Sequence, residues 1–393
     1  MKFGAAAAAR AAAGSDAVPG VQAHRVIFID LARALAVVFM VYGHTISALL
    51  APVYRSGPWF DAWLFQRGLT STLFLLLSGF AFSIATTRHW ATHMRVSPAV
   101  VRRLRRFALF IVLGYALHFP VGNVAALAGL AADRWRSFFA VDVLQLIGAM
   151  FVLIQALVMV SRSRRVFMAV SFVLAVLTIA LTPTVWRYHW TDVLPLPLAS
   201  YLSPANGSQF PFFPFAGAVL IGAAAGQLYA RWGASHLAAF ANRVLLGVGI
   251  GLTVAALYGR AAGVDVYGPG EGQGIPGEFM LRTGVSLVIL GVIAHLSQRI
   301  TRLPHVFGAV AQESLLIYFI HLCLVYGSVW NRGLVQRFGE TLSPLQTLPF
   351  VLLIIGAMVL LAWGWNRLKH TAPHLARWAM GATFGAAMLL LLF

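Results

Sequence analysis

IFIDLARALAVVFMVYGH, residues 27–44, is an almost continuous apolar run that nevertheless holds Arg33 and His44, two residues that are costly to keep there. An ionisable side chain inside a membrane span is disfavoured by about 2.5 kcal/mol or more unless it faces a partner or a wet cavity. At 100° per residue, the eleven-residue separation falls about 20° from three full turns, so both side chains share one helix face ~16 Å apart. Two readings stand for the pair. As a site, it is a polar line running toward one end of a span. As structure, Arg33 pairs with Asp30 three residues earlier, and His44 satisfies a neighbouring helix.

The rest of the chain fits a membrane setting. Of 393 residues, 60% are hydrophobic and 10% charged, against roughly 25% charged in soluble domains. Apolar runs long enough to cross about 30 Å of hydrocarbon occur near 26–51, 64–86, 107–127, 138–160, 166–182, 212–230, 238–258, 278–296, 308–330, 348–366 and 374–393. The expected fold class is an all-α integral membrane protein, a polytopic bundle of about eleven transmembrane helices, ten to twelve. Residues 25–393 read as a single transmembrane domain and residues 1–24, rich in Ala and lacking a signal-peptide core, as a disordered cytoplasmic tail.

Net charge is +18, yet the basic residues sit in short segments between apolar runs, where they set topology and meet anionic lipid rather than nucleic acid. Nineteen Lys and Arg fall on the N-terminal tail and alternate connections, against eight on the other side. The positive-inside rule then expects a cytoplasmic N-terminus and a C-terminus outside. The single cysteine, Cys323, excludes an intrachain disulfide. No histidine spacing points to a metal, and hydrolase, zincin and nucleotide-loop motifs are missing from the sequence.

That topology sorts the polar residues into two groups. Toward the outer face lie His44, Asp142 with Gln145 three residues on, and Glu278 with Arg282 four residues on, each pair on one helix face. Asn206 and Gln209 come from the long outer connection 183–211, together with His189 and Asp192. Such a set can hold a hydroxyl-rich ligand, and each member also reads as a helix-end hydrogen bond or a solvated charge. Toward the cytoplasm lies RRLRRF, with Arg102, Arg103, Arg105 and Arg106, whose guanidinium forks match phosphate. The same run is also an ordinary topology determinant. ESLLIYFIH, residues 313–321, lines up Ser314, Tyr318 and His321 as another polar stripe. A neutral histidine takes a proton from a hydroxyl well near neutral pH, because its ordinary pKa is about 6.5. A rival reading is a transporter or flippase using Arg33, His44, His321 and Glu278 as a path.

RALAVVFMVYGH (33–44) resembles the R-x10-H signature of the acyltransferase 3 family of membrane acyltransferases. TSTLFLLLSGFAFS, with Ser78, resembles that family's SGF segment. RRLRRF and ESLLIYFIH resemble its basic motif and its late helix. FPFFPFAGAVLIGAAAG (210–226) is closer to the heparan-alpha-glucosaminide acetyltransferase-like branch of the same superfamily. The resemblance implies an acyl-CoA donor, usually acetyl-CoA, bound from the cytoplasm, and transfer to a hydroxyl or amine of a glycan on the other side. It makes His44 catalytic with Arg33 assisting, and gives Arg102, Arg103, Arg105, Arg106, Ser78 and His321 to the donor. Asp142, Gln145, Glu278, Arg282, Asn206 and Gln209 are then the acceptor set. DLAR stands where the family commonly has D-x-x-R-G or D-G-L-R-A, which leaves the acceptor unassigned. The Ala/Arg-rich, Lys-poor composition fits a bacterial plasma membrane.

Overall fold

A computed structural model of the chain describes residues 26–263, 276–300 and 302–392; the expected N-terminal tail, and most of the Gly-rich connection near 259–277, lie outside them. Among the described residues every long element is a helix, and the extended pairings are two isolated bridges, Leu50 with Leu342 and Ser328 with Asn331. The main helices are α1 (Ile27–Leu49), α2 (Pro58–Thr87), α3 (Pro98–Leu117), α4 (Val143–Ser161), α5 (Arg164–Ala180) and α6 (Phe212–Leu228). They continue as α7 (Gly247–Ala261), α8 (Pro276–Ser297), α9 (His305–Gln312), α10 (Ser314–Tyr326), α11 (Pro344–Thr371) and α12 (Pro373–Leu392).

The helix starts follow from local chemistry. Pro98 sits in the first turn of α3, and the Ser97 hydroxyl accepts from the Val100 N–H at 3.3 Å. Asp142 caps α4 in a capping box with Gln145, and Ser343 does the same for α11 with Gln346. Each satisfies N–H groups that the first helical turn cannot use internally.

All eleven expected runs carry helix, but seven helices among the described residues are long and apolar enough to cross a membrane, or eight if α9 and α10 form one span broken by a 73° bend at Glu313. Two shortfalls have plain reasons. The helix expected near 107–127 begins at Pro98 and ends at Leu117, so its first turns carry four arginines. The run near 166–182 folds as a 17-residue helix, too short on its own.

Between membrane helices lipid is as apolar as leucine, so close backbone approach matters more than hydrophobic burial. The α2–α6 pair shows it. A Cβ on Gly79 would lie 1.9 Å from the Val219 carbonyl oxygen, and one on Gly222 would lie 2.0 Å from that of Leu76. The Ser83 hydroxyl, buried nearby, donates across the same interface to the Ala223 carbonyl at 2.7 Å. The SGF and AGAVLIGAAAG segments are thus the two faces of one tight helix pair. Around its far end Phe28, Phe80, Tyr229 and Phe240 pack in edge-to-face and tilted pairs with centroids 5.3–6.4 Å apart.

Candidate functional site

α1 runs from Arg33 toward His44, and the neighbouring helices put their polar residues at one or the other of these ends. At the His44 end a cavity of about 590 Å³ opens among α1, α2, α3, α4 and α10. Its polar lining is His44, Arg67, His118, Asp142, Gln209, Tyr318 and Tyr326, with Thr70 and Ser71, set among Phe39, Phe74 and Phe210.

The imidazole of His44 is held on one edge. The Tyr326 hydroxyl donates to the His44 carbonyl oxygen at 3.4 Å, which leaves its own oxygen free to accept from Nδ1–H at 3.2 Å. That network assigns the proton of the neutral ring to Nδ1 and leaves Nε2 an acceptor, with no hydrogen bond to any described residue. His321 packs against the same ring at a centroid distance of 5.3 Å and is fully buried, its Nδ1–H donating to the Ile317 carbonyl at 2.8 Å.

Asp142 faces His44 across the cavity as the cap of α4. Its Oδ1 accepts from the Val143 N–H at 2.6 Å, its Oδ2 accepts from the Tyr318 hydroxyl at 3.1 Å, and His118 Nε2 stands 3.5 Å from that second oxygen. Both carboxylate oxygens are therefore engaged, which fixes the side chain.

The other expected site residues divide sharply. Gln209 lines the cavity, and its backbone N–H bonds to the Val141 carbonyl at 3.0 Å. Gln145 does not line it: the side chain is fully buried, its Oε1 accepting from the Asp142 N–H while its body fills the space over Gly114. Glu278 and Arg282 form an ion pair at 3.0 Å within α8, and the guanidinium lies flat where a Cβ on Gly68 would be. Asn206 closes a short turn outside the cavity lining. Ser78 is buried with its hydroxyl bonded to the Phe74 carbonyl one turn back at 2.8 Å.

At the opposite end the basic run splits. Val100, Phe107 and Gly114, at intervals of seven, are the buried line of α3, and Arg103 lies four residues before Phe107, close to that line. Its guanidinium donates to Gln155 Oε1 at 3.2 Å and to the Thr86 hydroxyl at 3.0 Å, and covers the Phe82 ring at 4.6 Å. Arg102, Arg105 and Arg106 remain exposed. His93 is buried beside this group, and its burial, with Arg103 next to it, holds the imidazole down to about 4. His321 belongs to the His44 end and does not join these arginines. Arg33 sits half-buried near the start of α1 with the Asp30 carboxylate acting on it, and it does not line the cavity. On α1 the cavity lining stops at Phe39 and Met40, short of Arg33.

Among the cavity residues not singled out from sequence are Arg67, His118 and Tyr326. Arg67 reads as one of the eight basic residues of the outer connections, and His118 falls inside the apolar run near 107–127. Tyr326 ends a long aromatic-rich run, and no spacing there marks it.

A multi-helix membrane bundle with a capped carboxylate and a half-tied histidine facing one recess defines a membrane protein with a polar chemical site inside its helices. The family model described as heparan-alpha-glucosaminide N-acetyltransferase, catalytic, matches residues 25–256, more than half of the chain, and the chain belongs to that family. The match includes His44, Arg67, His118, Asp142 and Gln209, and stops short of Tyr318, His321 and Tyr326. A comparison with curated proteins finds no match.

Proposed function

We propose that this protein moves an acyl group, chiefly acetyl, from cytoplasmic acyl-CoA to a hydroxyl or amine of a glycan on the outer side of a bacterial plasma membrane. The observation that carries the reading is the unbonded Nε2 of His44 on a cavity large enough for a sugar ring, in a chain of an acetyltransferase family. The charge asymmetry of the connections supports an N-terminus in the cytoplasm, which puts the His44 end outward, and an odd number of spans then places the C-terminus outside.

In this reading His44 Nε2 takes the proton from the acceptor as its oxygen or nitrogen attacks the thioester carbonyl. The C–S bond breaks, and the proton leaves with the thiolate as CoA–SH. Tyr326 keeps the proton of the resting ring on Nδ1, so that Nε2 is the base. Asp142, which faces the ring and is fixed by Tyr318, His118 and its own cap, favours the imidazolium formed in transfer. Arg102, Arg105 and Arg106 anchor the donor's phosphates; Arg103, tied to Gln155 and Thr86, serves the fold of that anchor. Arg33 stands ~16 Å from His44 along α1 and so steadies the donor's path rather than polarising its carbonyl. Gln209 meets the acceptor, and Gln145, Glu278 and Arg282 hold the helices around it.

Incubating the purified protein in liposomes with radiolabelled acetyl-CoA and an amino-sugar acceptor tests this. Labelled sugar and free CoA in equal amounts support it; neither product, with the sugar instead accumulating inside the vesicles, refutes it in favour of transport.

A further inference from the structure

We infer that the acceptor carries an anionic group, a carboxylate or a phosphate, on the same sugar as the atom that receives the acyl group, and that Arg67 binds it. The inference rests on the acyl-transfer reading above and adds the charge of the substrate.

Arg67 lies on α2 in the wall of the same cavity as His44. Its stem packs by Gly43, the residue before His44, where an added Cβ would meet Arg67 Cγ at 3.6 Å, and its guanidinium lies 5.9 Å from the Trp63 ring centroid. Among the described residues it makes no hydrogen bond or ion pair. No carboxylate is bonded to it: Asp142, on the same cavity, is bonded to Val143 and Tyr318, Glu278 pairs with Arg282, and Glu340 pairs with Arg55 at 3.2 Å. A half-buried guanidinium on the cavity wall with no bonded partner keeps its fork of N–H donors for whatever enters, and a bidentate anion is the ligand that matches it best.

The donor's own phosphates are the alternative source of that anion. In acyl-CoA the thioester and the phosphates lie at opposite ends of the molecule. A donor with its thioester at His44 therefore points its phosphates away from a residue that shares the wall with His44. The exposed arginines of α3 lie at the other end of the bundle and suit them better. The anion at Arg67 then comes from the acceptor.

Glucosamine, glucosamine 6-phosphate and muramic acid share one ring and one amine and differ in the charge they carry, so they are the probes. With the full chain in liposomes, the charged pair is expected to show a KM about tenfold or more below that of glucosamine. Arg67→Gln is expected to erase that difference, with the change falling on the acceptor's KM rather than on that of acetyl-CoA, and Arg67→Lys to restore part of it. Equal KM values for the three sugars in the native protein overturn the inference, as does a preference that survives Arg67→Gln. A rise in the KM of acetyl-CoA alone assigns Arg67 to the donor and also overturns it. Thermal stabilisation by muramic acid in the absence of acetyl-CoA gives a second readout, expected for the native protein and lost in Arg67→Gln. Should no acceptor be acetylated, the acyl-transfer reading fails, and this binding measurement still decides the role of Arg67.

Discussion

Replacing Tyr326 by Phe removes one oxygen and leaves the ring that packs against His44 at 5.6 Å. The bonds lost are long, 3.2 Å to Nδ1 and 3.4 Å to the His44 carbonyl, so each contributes about 0.5–1 kcal/mol net. The Nδ1 bond is the one that selects the tautomer. Losing about 1 kcal/mol of preference lets a fraction of the rings place their proton on Nε2, where they cannot act as base, and turnover falls about twofold. The fall belongs in kcat, because the hydroxyl orients the base in the ground state and need not touch the donor. Initial rates of labelled acetyl transfer, with the acceptor and acetyl-CoA varied in turn, measure this. A loss beyond about a hundredfold would mean that the Tyr326 hydroxyl itself takes part in the chemistry. An unchanged rate would mean that Tyr326 does not govern the tautomer of His44.

Asp142→Asn keeps a side chain able to cap α4 but removes the charge, so kcat is expected to drop about tenfold or more while the melting temperature changes little; Asp142→Ala should also lose about 1 kcal/mol of stability with the cap. The basic run should divide by role: Arg103→Gln lowers the melting temperature, whereas Arg102, Arg105 and Arg106 changed together to Gln raise the KM of acetyl-CoA, as thermal unfolding and kinetics read separately. Gly222→Ala pushes a methyl group to 2.0 Å from the Leu76 carbonyl and is expected to cost about 1–3 kcal/mol or more; Gly251→Ala, with open space around it, is the neutral control. His93, held near 4 in the folded protein against an ordinary 6.5, binds its proton more readily in the unfolded chain. Stability should therefore fall as pH drops from about 6.5 to 4 and level off below, and His93→Asn should flatten that fall in unfolding curves taken across the range.

The helical membrane class and the grouping of His44 with Asp142 are legible because charged groups in apolar runs stand out against their surroundings. Polar residues that serve the backbone look identical in sequence to those that meet a ligand. Gln145 and Ser78 satisfy their own helices, and no periodicity separates them from Gln209, which lines the cavity. Arg103 was separable: the line through Val100, Phe107 and Gly114 passes close to it, whereas Arg102, Arg105 and Arg106 fall on another face. Arg67 and Tyr326 meet His44 only through the packing of α2 and α10 on α1, a long-range arrangement that short motifs do not encode. Eleven apolar runs stand against seven or eight described helices long and apolar enough to cross, since apolarity alone does not register the length of α5 or the arginines at the start of α3.

The most direct measurement is acetyl transfer by His44→Gln, purified in liposomes and shown by thermal unfolding to be folded. Loss of the general base should slow transfer about 10²- to 10⁴-fold with acetyl-CoA still bound. Transfer at a rate close to that of the native protein would contradict the account.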